Sequence, residues 1–162
     1  MRSINKKQIL IGILGLLFGT LIYLADRPPT ETYFLNNLPV DVSLFNTVPN
    51  LFGVVGNNLP SFIHAFSFIL ITAGLTIYQR RHALLICLSW FLVDSAFELG
   101  QHVITETSAV IPSWFSGVLV LENTKNYFAQ GTFDLNDLIA VALGAVIAYL
   151  VLLLTGKRRT IS

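Results

Sequence analysis

Charged residues are scarce in this 162-residue chain, and no basic residue falls inside any of its long apolar runs. Asp, Glu, Lys and Arg together make up 12% of the residues and 54% are hydrophobic, whereas soluble domains carry about 25% charged residues. This composition excludes an ordinary soluble domain and predicts an integral membrane protein. The net charge of +1 gives no reason to expect a nucleic-acid partner.

Cysteine is nearly absent as well. The one cysteine, Cys87, lies inside an apolar run, so an intramolecular disulfide is excluded and the residue is predicted to be a small buried packing group. The chain also contains no nucleotide-binding loop, no covalent-triad pattern and no HExxH zinc motif. The sequence therefore gives no indication of the enzyme classes that are recognised by these short motifs.

Four apolar runs divide the chain, and each is long enough to cross a hydrocarbon core of about 30 Å as a helix. They cover residues 9–25, 61–78, 83–102 and 136–154. We therefore predict an all-α polytopic membrane protein, a bundle of four transmembrane helices with two long extracytoplasmic loops, forming a single integral membrane domain over residues 1–162. The first run is expected to be a retained span, because its apolar core is longer than the roughly 7–15 residues of a signal peptide.

The basic residues are segregated along the chain. Most of them flank those ends of the four runs that would lie on one side of the membrane: Arg2, Lys6, Lys7, Arg80, Arg81, Lys157, Arg158 and Arg159. Only Arg27 and Lys125 fall on the other side. Because Lys and Arg near span ends are retained in the cytoplasm, this pattern predicts a membrane protein with both termini cytoplasmic. The two long loops would then lie outside.

A GxxxG pair in the first run, Gly15 and Gly19, permits close approach of another helix. Packing within the bundle is the first interpretation. A homo-oligomer contact through the same two glycines is the second.

The third run carries polar residues whose placement in the hydrocarbon core of a bilayer costs free energy. Asp94, Glu98 and Gln101 follow one another at helical spacing and therefore share one face. A carboxylate in mid-span costs about 2.5–3.5 kcal/mol on insertion scales. Since no basic residue lies within a span, their charge must be met by histidine, water, a cation or bound protons.

Two other runs are expected to contribute polar residues at a similar depth. His64 is predicted in the first turn of the second span, and Asp134 and Asp137 begin the fourth. The hypothesis is one cluster near the outer interface, with Asp94 below it. Simpler roles stay open: Asp134 as a helix N-cap and Asp137 as a first-turn acid.

The order of these motifs resembles the VanZ-like family of small bacterial membrane proteins. The segments that carry the resemblance are LPSFIHAFSF, FELGQ and GTFDLNDLIAVALGA. They place a histidine at a span start, a Glu-x-x-Gln at the end of the next span, and an Asp before a glycine-containing helix. The corresponding residues here are His64, Glu98 with Gln101, and Asp137 with Gly144. The resemblance covers the second half of the chain. It implies a location in the bacterial cytoplasmic membrane and a cell-envelope role.

Three functions are compatible with these residues. In the first, His64, Gln101, Asp134 and Asp137 bind a small ligand, a cation, or a lipid-linked or cell-wall precursor at the membrane interface. In the second, a divalent metal held by His64, Glu98 and Asp137 serves a membrane hydrolase or transferase, with Glu98 or Asp94 as catalytic base. In the third, Asp94 and Glu98 relay protons or cations across the membrane.

Overall fold

The structure is a computed structural model. It describes residues 4–28, 43–45, 47–48, 51–76, 80–104, 111–118, 121–124, 128 and 133–156. Within these ranges the chain forms helices and no strand: α1 (Lys6–Asp26), α2 (Val55–Leu75), α3 (Arg80–Ile104) and α4 (Leu135–Thr155), with short 3-10 helices at Ser113–Gly117 and Leu121–Asn123. All four α-helices are long and apolar enough to cross a membrane. The all-α prediction with four candidate spans is thereby confirmed. Much of both predicted loops falls outside the described residues.

The second helix differs most from the prediction. It begins at Val55 instead of residue 61, passes through Pro60 and ends at Leu75 instead of residue 78. The predicted run starts directly after Pro60, and proline inside a helix cannot donate the backbone hydrogen bond that continues it. Pro60 is only the sixth helical residue and is buried in the bundle, so packing retains a helix that local propensity would end.

The residues before α2 fold back on the end of α1. Asp26 accepts hydrogen bonds from the backbone amides of Leu51 (2.9 Å) and Phe52 (2.8 Å). Gly53 makes the turn with a φ of +53°, a value that glycine adopts without a steric penalty. Residues 51–54, which fall in the first of the two predicted extracytoplasmic loops, therefore form a tight turn that leads directly into α2.

The core lies on α2, which packs against α1 on one side and α4 on the other. Ile69 and Ala73 meet Ala148 of α4 and Cys87 of α3 in one buried cluster. Cys87 is thus a buried packing residue, as predicted.

Small residues on α1 bring it close to α2. A Cβ atom at Gly12 would lie 2.8 Å from the Ser67 carbonyl oxygen, and one at Gly19 would lie 3.1 Å from Ile63 Cγ2. Gly15 faces the Ser67 hydroxyl at still closer range. The predicted GxxxG pair therefore faces α2 of the same chain.

Hydrogen bonds at the two ends show that the helices run alternately up and down. One end of the bundle, which we call the Asn5 end, contains Asn5. The Asn5 backbone N–H donates to Gly74 O (2.9 Å), and its side-chain Nδ2 donates to Thr155 O (3.1 Å). Gln8, which is fully buried, donates to Thr155 Oγ1 at 2.9 Å. The start of α1 therefore meets the ends of α2 and α4. The opposite end, which we call the Asp134 end, contains the start of α4.

Candidate functional site

A cavity of about 720 Å³ lies on the flank of the bundle, between α1 and α3 and over α2. Helices α1 and α3 are not among the closely packed pairs, and the cavity occupies the space between them. Aliphatic and aromatic side chains make up most of its wall. Its polar lining residues are Thr20, Tyr23, Ser61, His64, Asp94, Glu98 and Thr124.

A histidine and an acid meet in this cavity. His64 Nδ1 lies 3.2 Å from Asp94 Oδ1. The prediction put His64 in the first turn of its helix and above Asp94, and both points are wrong. Because α2 begins at Val55, His64 falls at mid-helix, level with Asp94 on α3. The contact through Nδ1 leaves Nε2 of the imidazole for another partner.

The two partners differ in exposure. The His64 side chain is 52% exposed although it lies in the middle of its helix, whereas that of Asp94 is 8% exposed. The second Asp94 oxygen, Oδ2, is buried and has no hydrogen-bond partner among the described residues. A buried polar atom without a partner is costly. The site thus contains an acceptor that the described part of the chain leaves unsatisfied.

The other polar residues of α3 follow the predicted face. Glu98 lies one turn beyond Asp94, lines the cavity and is buried. Gln101 is also buried, a further turn along the helix. The shared face is therefore as predicted, and the functional roles of these residues remain predictions.

Two aromatic rings, Phe68 and Trp90, form a wall of the cavity beside the His64–Asp94 pair. Neither residue was predicted from the sequence as part of the site. Phe68 lies 4.4 Å from His64 and 4.9 Å from Trp90, measured between ring centroids. Trp90 Nε1 donates to Thr72 Oγ1 at 3.0 Å, which holds the indole in place. A signal was present, because Phe68 follows His64 by four residues and Trp90 precedes Asp94 by four.

A second polar cluster occupies the Asp134 end. The Asn58 amide donates to Asp134 Oδ2 and to Asp137 Oδ1, both at 3.0 Å, and Ser61 Oγ donates to Asp137 Oδ1 at 2.8 Å. Asn58 precedes His64 by six residues, which is about 9 Å along a helix. His64, predicted in one cluster with Asp134 and Asp137, therefore lies at a deeper level than these two acids. Asn58 was not predicted as a member.

The simpler role predicted for Asp134 is confirmed: it is the N-cap of α4 and accepts from the Asn136 backbone amide at 2.9 Å. Asp137 is an acid of the first turn of α4, satisfied by side chains of α2. The hydrogen bonds of this cluster join α2 to α4, which is a structural role.

The cap should make the stability of α4 depend on pH. The Asn136 backbone amide, together with the Asn58 side chain, lowers the pKa of Asp134 below its ordinary value of 3.8. A lowered folded-state pKa stabilises the fold above the unfolded value, and the contribution is lost as pH falls through the folded value.

We therefore expect the thermal midpoint of the detergent-solubilised protein to fall between about pH 6 and about pH 3, and to fall less in Asp134→Asn. Asparagine keeps a capping oxygen but does not titrate in this range. Equal slopes for the two proteins would show that the cap does not contribute.

No group of three or more His, Cys, Asp or Glu residues in the described part of the chain could hold a metal ion. The predicted ligands His64, Glu98 and Asp137 do not assemble, because Asp137 is bonded to Ser61 and Asn58 at the Asp134 end. The geometry therefore does not support a metal site formed by these three residues.

Comparison with known proteins adds no further assignment. No protein-family model, curated protein or solved structure matches the chain.

Proposed function

We propose that this chain is a multi-pass membrane protein that binds the polar group of a lipid-borne ligand at His64 and Asp94. The observation that carries the proposal is a half-exposed histidine paired with a buried acid at the midpoint of two apolar helices. Polar groups at such depth are expensive and mark functional sites in membrane proteins. The cavity between α1 and α3 gives a ligand access to them.

The distribution of basic residues supports the orientation. With Lys and Arg retained in the cytoplasm, the Asn5 end is cytoplasmic and the Asp134 end faces outward in a bacterial cytoplasmic membrane. The two long loops are then extracytoplasmic, and all of the chain belongs to one membrane domain. The cavity then extends from the middle of the bilayer toward its outer surface, where Ser61 and Tyr23 line it.

The VanZ-like resemblance supports a role in the cell envelope. Two of the residues that carry it, His64 and Glu98, line the cavity. A third, Gly144, places α4 directly against the Phe62 carbonyl of α2 and so holds the helix that carries His64. We propose that the ligand is a lipid-linked or cell-wall precursor, or a membrane lipid with a related head group.

Lipid analysis of the purified protein tests this function. The wild-type chain, extracted with its surrounding bilayer in polymer-bounded discs, should retain one lipid class above its abundance in the host membrane. His64→Phe should lose that enrichment, because the ring fills the site without a polar nitrogen. Ser89→Ala is the matched control, since Ser89 is exposed on α3 outside the cavity.

Discs that contain lipids only in bulk proportions, for the wild type and the His64→Phe variant alike, would contradict the proposal. Equal loss in the Ser89→Ala control would show that the enrichment does not depend on the cavity.

General-base catalysis is a second candidate function, favoured by one detail of the pair. An aspartate that holds histidine Nδ1 leaves Nε2 placed to take a proton from water or from a ligand hydroxyl, as in hydrolytic dyads and triads. Asp94 would orient His64 and Glu98 would line the reacting group. This form needs no metal. Chemical conversion of the enriched lipid, lost in His64→Phe, would identify it.

Transport finds less support. Ser89, the polar residue of α3 that would continue a path from Asp94 toward the Asn5 end, is exposed on the outside of the helix.

A further inference from the structure

The chemistry of the cavity restricts the ligand that it would accept. The formally charged residues in its lining are two acids, Asp94 and Glu98, and the described lining contains no Lys or Arg. Sites for phosphate and other anions are built from arginine, lysine, a metal or backbone amides. A negatively charged head group would therefore meet two acidic residues and, among the described residues of the lining, no Lys or Arg.

The unsatisfied oxygen points to the complementary charge. Asp94 is 7% exposed, and its Oδ2 atom has no partner among the described residues, although Oδ1 contacts His64. Removing a carboxylate from water is compensated only by a close counter-charge or by hydrogen bonds. A ligand that donates hydrogen bonds or carries positive charge would supply what the described residues do not.

The aromatic wall favours an organic cation. The Phe68 and Trp90 rings are stacked on each other, with an angle of 25° between their planes. Both line the cavity together with Asp94, and Phe68 also contacts the His64 ring. Aromatic faces attract ammonium groups, Trp most strongly, and the attraction is larger where water is excluded. A carboxylate next to aromatic faces is the combination that recognises alkylammonium groups.

The position of the opening indicates that the cation has an apolar chain. Two residues of the α3 rim, Val93 and Phe97, are 45% and 43% exposed on the flank of the bundle. In a bilayer this flank faces lipid, so a ligand that enters here must be soluble in lipid. The volume of about 720 Å³ is in the range of pockets for drug-sized ligands and exceeds the needs of a bare ammonium group.

We propose that the ligand is an amphiphile with an organic ammonium head group, bound with its cation between Asp94 and the Phe68–Trp90 wall and its chain extending between α1 and α3. This inference rests on the proposed function, since it names the ligand class of the same site.

A fluorescence titration tests the inference. The chain has two tryptophans, so Trp114→Phe leaves Trp90, in the cavity wall, as the one reporter. The full chain in neutral maltoside detergent is titrated with dodecyltrimethylammonium, dodecanol, dodecyl sulfate and tetramethylammonium. Dodecyltrimethylammonium should give a saturable change in Trp90 emission at a concentration at least about tenfold below that of dodecanol, because a buried charge partner is lost in the neutral compound.

Variants of the cavity separate charge from shape. Asp94→Asn should remove the preference for the ammonium compound while dodecanol binding stays. Phe68→Leu, which keeps an apolar side chain without a ring face, should weaken ammonium binding in the same direction. Ser89→Ala is the control and should behave as the parent protein.

The outcomes distinguish two failures. Equal binding of ammonium and neutral compounds, unaffected by Asp94→Asn, would overturn the ligand class and leave the proposed binding function standing. Tighter binding of dodecyl sulfate would also overturn it. Tetramethylammonium binding as tightly as the long-chain compound would show that the ligand need not be lipid-borne. If no long-chain compound gave a saturable signal, both the ligand class and the proposed function would be wrong.

Discussion

Asp94→Asn should abolish selective lipid enrichment without lowering the thermal stability of the protein. The substitution keeps the size of the side chain and an oxygen that can accept from His64 Nδ1, but removes the carboxylate. Loss of one partner of a buried charged contact costs about 2–5 kcal/mol in binding, or at least about 30-fold in affinity. Stability is not expected to fall, because a neutral amide costs less to bury than a carboxylate whose Oδ2 atom is buried with no partner among the described residues.

The combination of the two readouts identifies a binding residue. A purely structural acid would lose stability on substitution, and ligand binding would fall only as the protein unfolds. Lipid content and thermal midpoint are measured on the same disc preparation, with Ser89→Ala as the control. A lower midpoint together with unchanged lipid enrichment would show that Asp94 supports the fold and does not hold a ligand.

Gly144→Ala should destabilise the bundle, although alanine is the better helix former. A Cβ atom at this position would lie 2.5 Å from the Phe62 carbonyl oxygen and 3.3 Å from Ala65 Cβ. The carbonyl belongs to the backbone of α2 and cannot rotate away, so α2 and α4 must separate. Overpacking of this kind costs about 1–3 kcal/mol, which exceeds the gain of about 1 kcal/mol from replacing a helical glycine.

The sign of the change in thermal midpoint shows which effect is larger, the overpacking at the α2–α4 contact or the higher helix propensity of alanine. Gly117→Ala is the matched control, since a Cβ atom there meets nothing within 4 Å. The thermal midpoints of both variants in one detergent provide the comparison. A raised midpoint for Gly144→Ala would show that α2 and α4 do not approach as closely as the structure has them. Because His64 is on α2, we also expect the Gly144 variant to lose lipid enrichment.

Helix count and membrane character could be predicted from composition and periodicity alone. Apolar runs of about 20 residues with few charges have few alternatives to spanning a bilayer. The face shared by Asp94, Glu98 and Gln101 could also be predicted, because helical spacing along one element determines it.

The relation between helices could not be predicted. His64 was placed with Asp137 because both were expected at helix starts, and the early start of α2 at Val55 moved His64 to the level of Asp94. That start depends on packing around Pro60, which no local rule reveals. Asn58 lies outside every predicted span, and only the approach of α2 to α4 makes it the link between Asp134 and Asp137.

The central claim is that the His64–Asp94 pair lies in a cavity that opens to lipid on the flank of a membrane-embedded bundle. Quenching of Trp90 in the Trp114→Phe protein tests this most directly, because Trp90 lines that cavity. In bilayers whose lipids carry bromine on their acyl chains, we expect strong quenching of Trp90 emission and little quenching by aqueous iodide. Quenching by iodide with none by the brominated chains would place the cavity in water and contradict the account.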